Sequence, residues 1–130
     1  MSTLSLLVAD DEPAHVQAIR RALEAAQSSV ELREVRTLRE LRLAAAAARP
    51  DLAIIDYVLP DGDAIDFLAE TADRFPVLVM TSHGNEGTAV AAMKAGALDY
   101  IVESPEAFAE IPHTIERALR VLISLTIPIA

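Results

Sequence analysis

Two neighbouring aspartates, Asp10 and Asp11, stand where one apolar run, Leu4–Ala9, stops. Asp56 stands where a second run, Leu52–Ile55, stops. Thr81 and Ser82 close a third, and Glu103 closes a fourth. A carboxylate at the end of one strand reads as a helix cap, and for Asp11 alone that role suffices. A pair on one strand with a third on the adjacent strand is different, because like charges at ~4 Å repel by about 4 kcal/mol at an effective dielectric of 20. Such a gathering calls for a cation or a shared proton. Three hard oxygens with room for water suit Mg²⁺ or Mn²⁺. His15, His83 and His113 lack the spacing of a histidine metal site, so the expected cation needs no nitrogen ligand.

The elements that must position these groups follow from patterning. Short apolar runs alternate with longer amphipathic segments. After Asp10-Asp11, Pro13 opens a helix in which Val16, Ile19, Leu23 and Ala26 recur at helical spacing. Val30–Val35 alternates as a weaker strand, and Thr37-Leu38-Arg39-Glu40 reads as a capping box opening a second helix that Pro50 ends. Pro60-Asp61-Gly62 is turn chemistry. A third helix is expected to bury Ile65, Leu68, Ala69 and Ala72, and a fourth to bury Ala89, Val90 and Met93 before Gly96 ends it. Met80 and Met93 both read as core. Leu98–Val102 is the fifth strand, Ser104-Pro105 starts a helical turn, and Pro112 restarts a last helix with Ile115, Leu119 and Leu122 inward. Strands that alternate with helices, and that are themselves continuous apolar runs, imply a parallel sheet covered on both faces. Ligands of such a sheet bind beyond the carboxyl ends of its strands, where the acidic residues fall.

Composition narrows the function classes. The 130 residues, 52% hydrophobic and 24% charged, suit one compact domain. A net charge of -9 argues against nucleic acid as a direct partner and suits a cation or a basic protein surface. With no Cys, disulfides, thiol catalysis and Cys metal sites are excluded, which fits a cytoplasmic setting. No stretch reaches the roughly 20 apolar residues of a membrane span, so no membrane partner is expected. The apolar, uncharged segment 123–130 is expected to be a tail beyond a domain spanning 1–122, either extending the last helix until Pro128 or packing on a neighbouring molecule.

Four motifs in order, V-A-D-D-E at Val8–Glu12, D-Y-V-L-P-D-G at Asp56–Gly62, M-T-S at Met80–Ser82 and A-G-A-L-D-Y-I at Ala95–Ile101, together resemble the receiver domain of two-component response regulators. The resemblance covers roughly residues 3 to 120. It implies a flavodoxin-like (βα)5 doubly wound α/β sandwich, with a five-stranded parallel sheet in the order 2-1-3-4-5 and helices on both faces. By the same resemblance Asp56 is the phosphoacceptor. Asp10, Asp11, Asp56 and the backbone carbonyl of Val58 hold Mg²⁺. Thr81 is the hydroxyl that moves to the phosphoryl group, and Tyr100 is the aromatic that swings inward with it. The implied partners are a histidine kinase or a histidine phosphotransfer protein, and a homodimer through the face of the fourth helix, fifth strand and last helix. Helix capping by Thr81 and ordinary strand packing of Tyr100 are the plainer alternatives.

The sequence departs from the family at Glu103, where the family carries a Lys whose ammonium pairs with the phosphoacceptor. A glutamate reverses that sign. Ser104 also separates this position from Pro105, where the family often has Pro directly after the Lys. Three functions therefore compete. The first is a phosphoryl-accepting switch that is not an enzyme in its own right. The second is a pseudo-receiver that works as a phosphorylation-independent interaction module. The third is an aspartyl-phosphate hydrolase of the haloacid dehalogenase kind, which Asp56-Tyr57-Val58 disfavours because it lacks the second Asp of D-x-D. A flavin binder ranks lower still, since no phosphate-cradling loop follows the first strand.

Overall fold

The computed structural model describes residues 3–71, 74–82 and 84–126, with side chains up to Leu122. His83, Ala72 and residues 127–130 lie outside the described residues. In chain order the elements are β1 (Leu4–Ala9), α1 (Pro13–Ala25), β2 (Val30–Val35), α2 (Leu38–Ala47), β3 (Leu52–Asp56), β4 (Val58–Leu59) and β5 (Gly62–Asp63). There follow α3 (Ala64–Thr71), β6 (Val77–Thr81), α4 (Glu86–Lys94), β7 (Asp99–Val102), α5 (Pro105–Ala109) and α6 (Ile111–Thr126).

Five strands form one parallel sheet in the order β2-β1-β3-β6-β7, while β4 and β5 make a separate antiparallel hairpin. Counting only the main sheet, this is the expected order 2-1-3-4-5. Alternate residues of the central strands feed two cores. Leu7, Ala9, Ala53, Ile55, Val77 and Val79 pack under α2, α3 and α4. Leu6, Val8, Ile54, Leu78 and Met80 pack under α1, α5 and α6. Both faces are therefore covered, which is why these strands are apolar throughout rather than alternating. The edge strand β2 is only partly buried and carries charged residues at Glu31, Arg33 and Glu34.

Local chemistry sets the ends of the elements. Thr37 caps α2 by accepting from the Glu40 N–H at 3.0 Å, and Glu40 reaches back to the N–H of Arg36 at 2.9 Å. Asp61 adds a second cap from across the fold, accepting from the N–H groups of Leu38 at 2.7 Å and Arg39 at 3.0 Å. Gly62, beside it, has a φ of 151°, and a Cβ there would meet Leu38 Cδ1 at 2.7 Å. Gly96 follows α4 with a φ of 113°, as expected of a C′ residue. Ser104 caps α5 through the Ala107 N–H, and Pro105 occupies its first turn. No cis peptide bond is found among the described residues.

Three expectations need correction. The buried stripe of α3 is Ala64, Phe67, Leu68 and Thr71, and Ala69 is exposed. Asp63 accepts from the Ile65 N–H and so starts the helix one residue earlier in phase, which turns the bulky Phe67 inward. In α4 the inward residues are Ala89 and Ala92, whereas Val90 is 53% exposed and Met93 42%. Two small side chains seat α4 against the sheet, and its larger apolar ones face outward. The last helix begins at Ile111, one residue before Pro112, and its inward face is Ile111, Ile115 and Ala118 with Leu119 partly buried. That helix continues to Thr126. No described helix is long and apolar enough to cross a membrane.

Candidate functional site

Register brings the chemistry-bearing residues together. Ala9 pairs with Ile55, Asp56 with Met80 and Thr81 with Val102, so the next residues along these strands emerge at one edge of the sheet. Asp10 is 1% exposed. Its Oδ1 accepts from the Glu12 N–H at 2.9 Å, and its Oδ2 lies 2.8 Å from His15 Nδ1. A buried carboxylate with both oxygens engaged is held in one orientation. Asp11 is exposed beside it and outside the tight group of possible ligands. The N-cap of α1 is Glu12, without a side-chain cap bond.

Asp56 is half-buried at a cavity of 220 Å³ lined by Tyr57, Val58, Ser82, Asn85, Thr88 and Glu103. The Val58 N–H lies 3.4 Å from Asp56 Oδ1. Burial first, then the carboxylates of Asp10 and Glu103, push the Asp56 carboxyl from 3.8 up to about 7, against the pull of the Val58 N–H and His15. Glu103 is also raised, chiefly by burial, with His15 and a hydrogen bond from Asp56 working the other way. The crowding of these carboxylates thus works against full ionisation of Asp56 near neutrality.

His15 is the residue that spacing alone missed. Its Nε2 lies 3.9 Å from Glu103 Oε2, and Phe108 packs against the ring with centroids 5.1 Å apart. Burial works against its charge, but the bond to Asp10 and the carboxylates of Asp10, Glu103 and Asp56 outweigh it, and its pKa is raised. Among the described residues, Asp10, His15 and Asp56 each offer a ligand atom within 4.8 Å of the others. His15 thus stands within reach of Asp10 and Asp56 although its spacing marked no histidine metal site. Metal-site spacing rules describe ligands on one element, whereas α1 doubles back over the end of β1 and lowers its first turn onto Asp10.

Thr81 is 1% exposed at the end of β6, and its carbonyl accepts from the Glu103 N–H at 2.9 Å. Thr81 and Tyr100 line one groove of 550 Å³ along α4 and β7, with Val90, Met93 and Val102. Tyr100 is 43% exposed, so it faces outward. Asn85 and Thr88 also went unread in the sequence, because the turn before α4 and that helix's first turn carry them over Asp56.

The chain matches the family described as the response regulator receiver domain over residues 6–116. It is 37% identical over 128 residues to the KDP operon transcriptional regulatory protein KdpE of Escherichia coli (strain K12), covering 95% of this chain and 55% of that protein. The chain thus spans about half the length of that relative. Among solved structures, a response regulator receiver domain protein from Clostridium thermocellum superposes with a TM-score of 0.76 at 27% identity, over 95% of this chain and 99% of that one. The phosphorylated cyanobacterial phytochrome response regulator RcpA gives 0.77 at 26%, over 89% and 93%.

Proposed function

The chain belongs to the receiver-domain family of response regulators, and from that premise we propose that it takes a phosphoryl group from a phosphohistidine donor onto Asp56 in a Mg²⁺-dependent reaction. The receiver unit in this reading is residues 1–122, with 123–130 as an appended segment, and it acts in the cytoplasm with a histidine kinase or a histidine phosphotransfer protein. The single observation that carries it is the gathering of Asp10, Asp56 and Glu103 at the carboxyl ends of the strands, with Asp56 and Glu103 lining a cavity large enough for a phosphoryl group.

The donor set fits a hard cation. Asp10 is fixed and buried, Asp56 lies within reach of it, and Asp11, exposed beside Asp10, and the Val58 carbonyl would add further oxygens. A Mg²⁺ ion held by these residues would supply charge neutralisation of the transferring oxygens. The rest is done by side chains. An Asp56 oxygen, once deprotonated, attacks phosphorus. The O–P bond forms as the donor's P–N bond breaks, and the imidazole nitrogen keeps the electron pair. Thr81 supplies a hydroxyl that donates to a phosphoryl oxygen, and Ser82, Asn85 and Thr88 line the space those oxygens enter. Glu103 adds negative charge where the transition state gathers it and so slows the step. The groove shared by Thr81 and Tyr100 supports the α4–β7–α6 face as the surface that reads the result, including in a homodimer.

Intact-mass measurement after incubation with acetyl phosphate and Mg²⁺, on wild type and Asp56→Asn, tests the reading. A single phosphoryl addition that needs Mg²⁺ and Asp56 supports it. No addition to wild type favours the second reading, a phosphorylation-independent pseudo-receiver, for which the specific observation is an acidic Glu103, rather than a cation, lining the Asp56 cavity.

A further inference from the structure

Among the described residues at this site, His15 takes no part in the phosphoryl-transfer steps. It projects from the first turn of α1 with Nδ1 2.8 Å from Asp10 Oδ2. Packing of Phe108 against the ring, with planes tilted by 34°, restricts its orientation from the α5 side. The distances resemble those of a coordination shell. Bonds of about 2.0–2.2 Å to imidazole and carboxylate put neighbouring ligand atoms about 2.9 Å apart on an octahedron and about 3.4 Å apart on a tetrahedron, with opposite ligands about 4.2 Å apart. The Nδ1–Oδ2 pair already has the separation of an octahedral edge. The Asp10, His15 and Asp56 ligand atoms all lie within 4.8 Å of one another, close to the separation of about 4.2 Å between opposite ligands.

We propose that His15 makes this a mixed nitrogen–oxygen site that binds a transition ion of the Zn²⁺, Co²⁺ and Ni²⁺ class, with Asp10 and Asp56 as its oxygen ligands, more tightly than it binds Mg²⁺. The inference rests on the reading of Asp10 and Asp56 as a cation-binding pair. Mg²⁺ keeps its water and favours oxygen, whereas imidazole is a preferred ligand of the later divalent ions. The ion takes the place of the proton that now links His15 to Asp10. Glu103 gains a role in this arrangement. Its Oε2 faces the other ring nitrogen at 3.9 Å, and a slight turn of either side chain lets Nε2–H donate to it. A metal-bound imidazole ordinarily donates its second N–H to a carboxylate in this way. The Glu12 N–H does the corresponding work for Asp10. The same ion engages Asp56, so it competes with Mg²⁺ for the phosphoacceptor.

The test titrates metal-free protein with ZnCl₂ and with MgCl₂ by calorimetry, and with CoCl₂ by its visible absorption bands. The variants are His15→Ala, Glu103→Gln and, as a control, His113→Ala, whose side chain is 80% exposed on α6. Wild type should bind Zn²⁺ at least about 100-fold more tightly than Mg²⁺. His15→Ala should weaken Zn²⁺ about 30-fold or more, change the Co²⁺ bands and leave Mg²⁺ within about threefold. Glu103→Gln should weaken Zn²⁺ about tenfold, and His113→Ala should change nothing. If His15→Ala fails to fold, His15→Gln, which keeps a hydrogen bond to Asp10, reads the same loss. Zn²⁺ affinity indifferent to His15, or an equal loss of both cations, overturns the proposal. Asp56 that takes no phosphoryl group while Zn²⁺ binding still depends on His15 defeats the proposed function and leaves this inference standing. Phosphorylation without His15-dependent Zn²⁺ binding does the reverse.

Discussion

Asp56→Asn should stabilise the metal-free protein above neutral pH and leave it unchanged in acid. The native carboxyl sits near 7 against 3.8 in the unfolded chain. A group whose pKa is raised on folding contributes its stability below the unfolded value, and that contribution is lost as pH rises through the folded value. The window is therefore from about pH 4 to about pH 7, and the wild-type protein weakens across it. A rise from 3.8 to about 7 corresponds to about 4 kcal/mol before screening. The site is open to solvent on one side, which cuts the effect to about 2 kcal/mol. The asparagine is neutral at every pH and can still donate to Glu103, so it keeps the acid-form contacts without the charge. For a domain of this size 2 kcal/mol moves the melting temperature by about 6 °C. Thermal melts of both proteins in chelator, at pH 4.5 and pH 8, measure the difference of differences. Equal offsets between the two proteins at both pH values would refute the crowded-carboxylate account. Saturating Mg²⁺ should erase the advantage of the variant, because the cation stabilises only the protein that retains the ligand.

Three further outcomes are expected. Mg²⁺ at 100 times its dissociation constant should stabilise wild type by about 2.7 kcal/mol in melting experiments, and Asp10→Ala or Asp11→Ala should remove most of that gain. Glu103→Lys should raise the yield or lifetime of phosphorylated Asp56 with acetyl phosphate. Reversing a charge at ~4 Å is worth several kcal/mol unscreened and about 1 kcal/mol at an open cavity, and identical labelling and decay would show that Glu103 points away from the reaction. Asp61→Ala should cost about 1–2 kcal/mol in denaturant unfolding by freeing two N–H groups at the start of α2, while labelling of Asp56 stays as in wild type.

The central strands were legible because burial on both faces keeps them almost wholly apolar, and each ends at or just before a residue that must face water or a ligand. Ala9 to Asp10 and Val102 to Glu103 are such boundaries. Helix phase was less legible. In α3 and α4, two adjacent stripes of apolar residues differ by a rotation of one residue, and both satisfy the period. What decides between them is the cap at Asp63 in one case and the close seating of Ala89 and Ala92 in the other. Neither is encoded in the spacing. The carboxylates of the site were readable because they stand at strand ends. His15, Asn85 and Thr88 come from helices or from the turn before one, and their approach to Asp56 depends on how each connection folds back over the sheet.

Glu103 and His15 have to be considered as a pair. Alone, a glutamate where the family carries a lysine adds repulsion to Asp56 and Asp10. With His15 beside it, the same carboxylate faces a group whose basicity is raised by all three acids around it. The imidazole thus returns part of the positive charge that the lysine would have supplied, from α1 rather than from the end of β7. This bears on the Glu103→Lys variant. Its ammonium would enter a pocket whose imidazole the surrounding carboxylates already draw towards its charged form, with Nε2 3.9 Å from the glutamate being replaced. Part of the gain at Asp56 is then spent repelling His15, so the rescue measured on wild-type background is a lower bound. Removing the imidazole in the same chain exposes the full effect. Glu103→Lys combined with His15→Ala should exceed the sum of the two single changes in phosphoryl lifetime, because neighbouring charges in one network are not additive. Strict additivity would mean that the two side chains do not sense each other, and that the lysine position was lost without compensation.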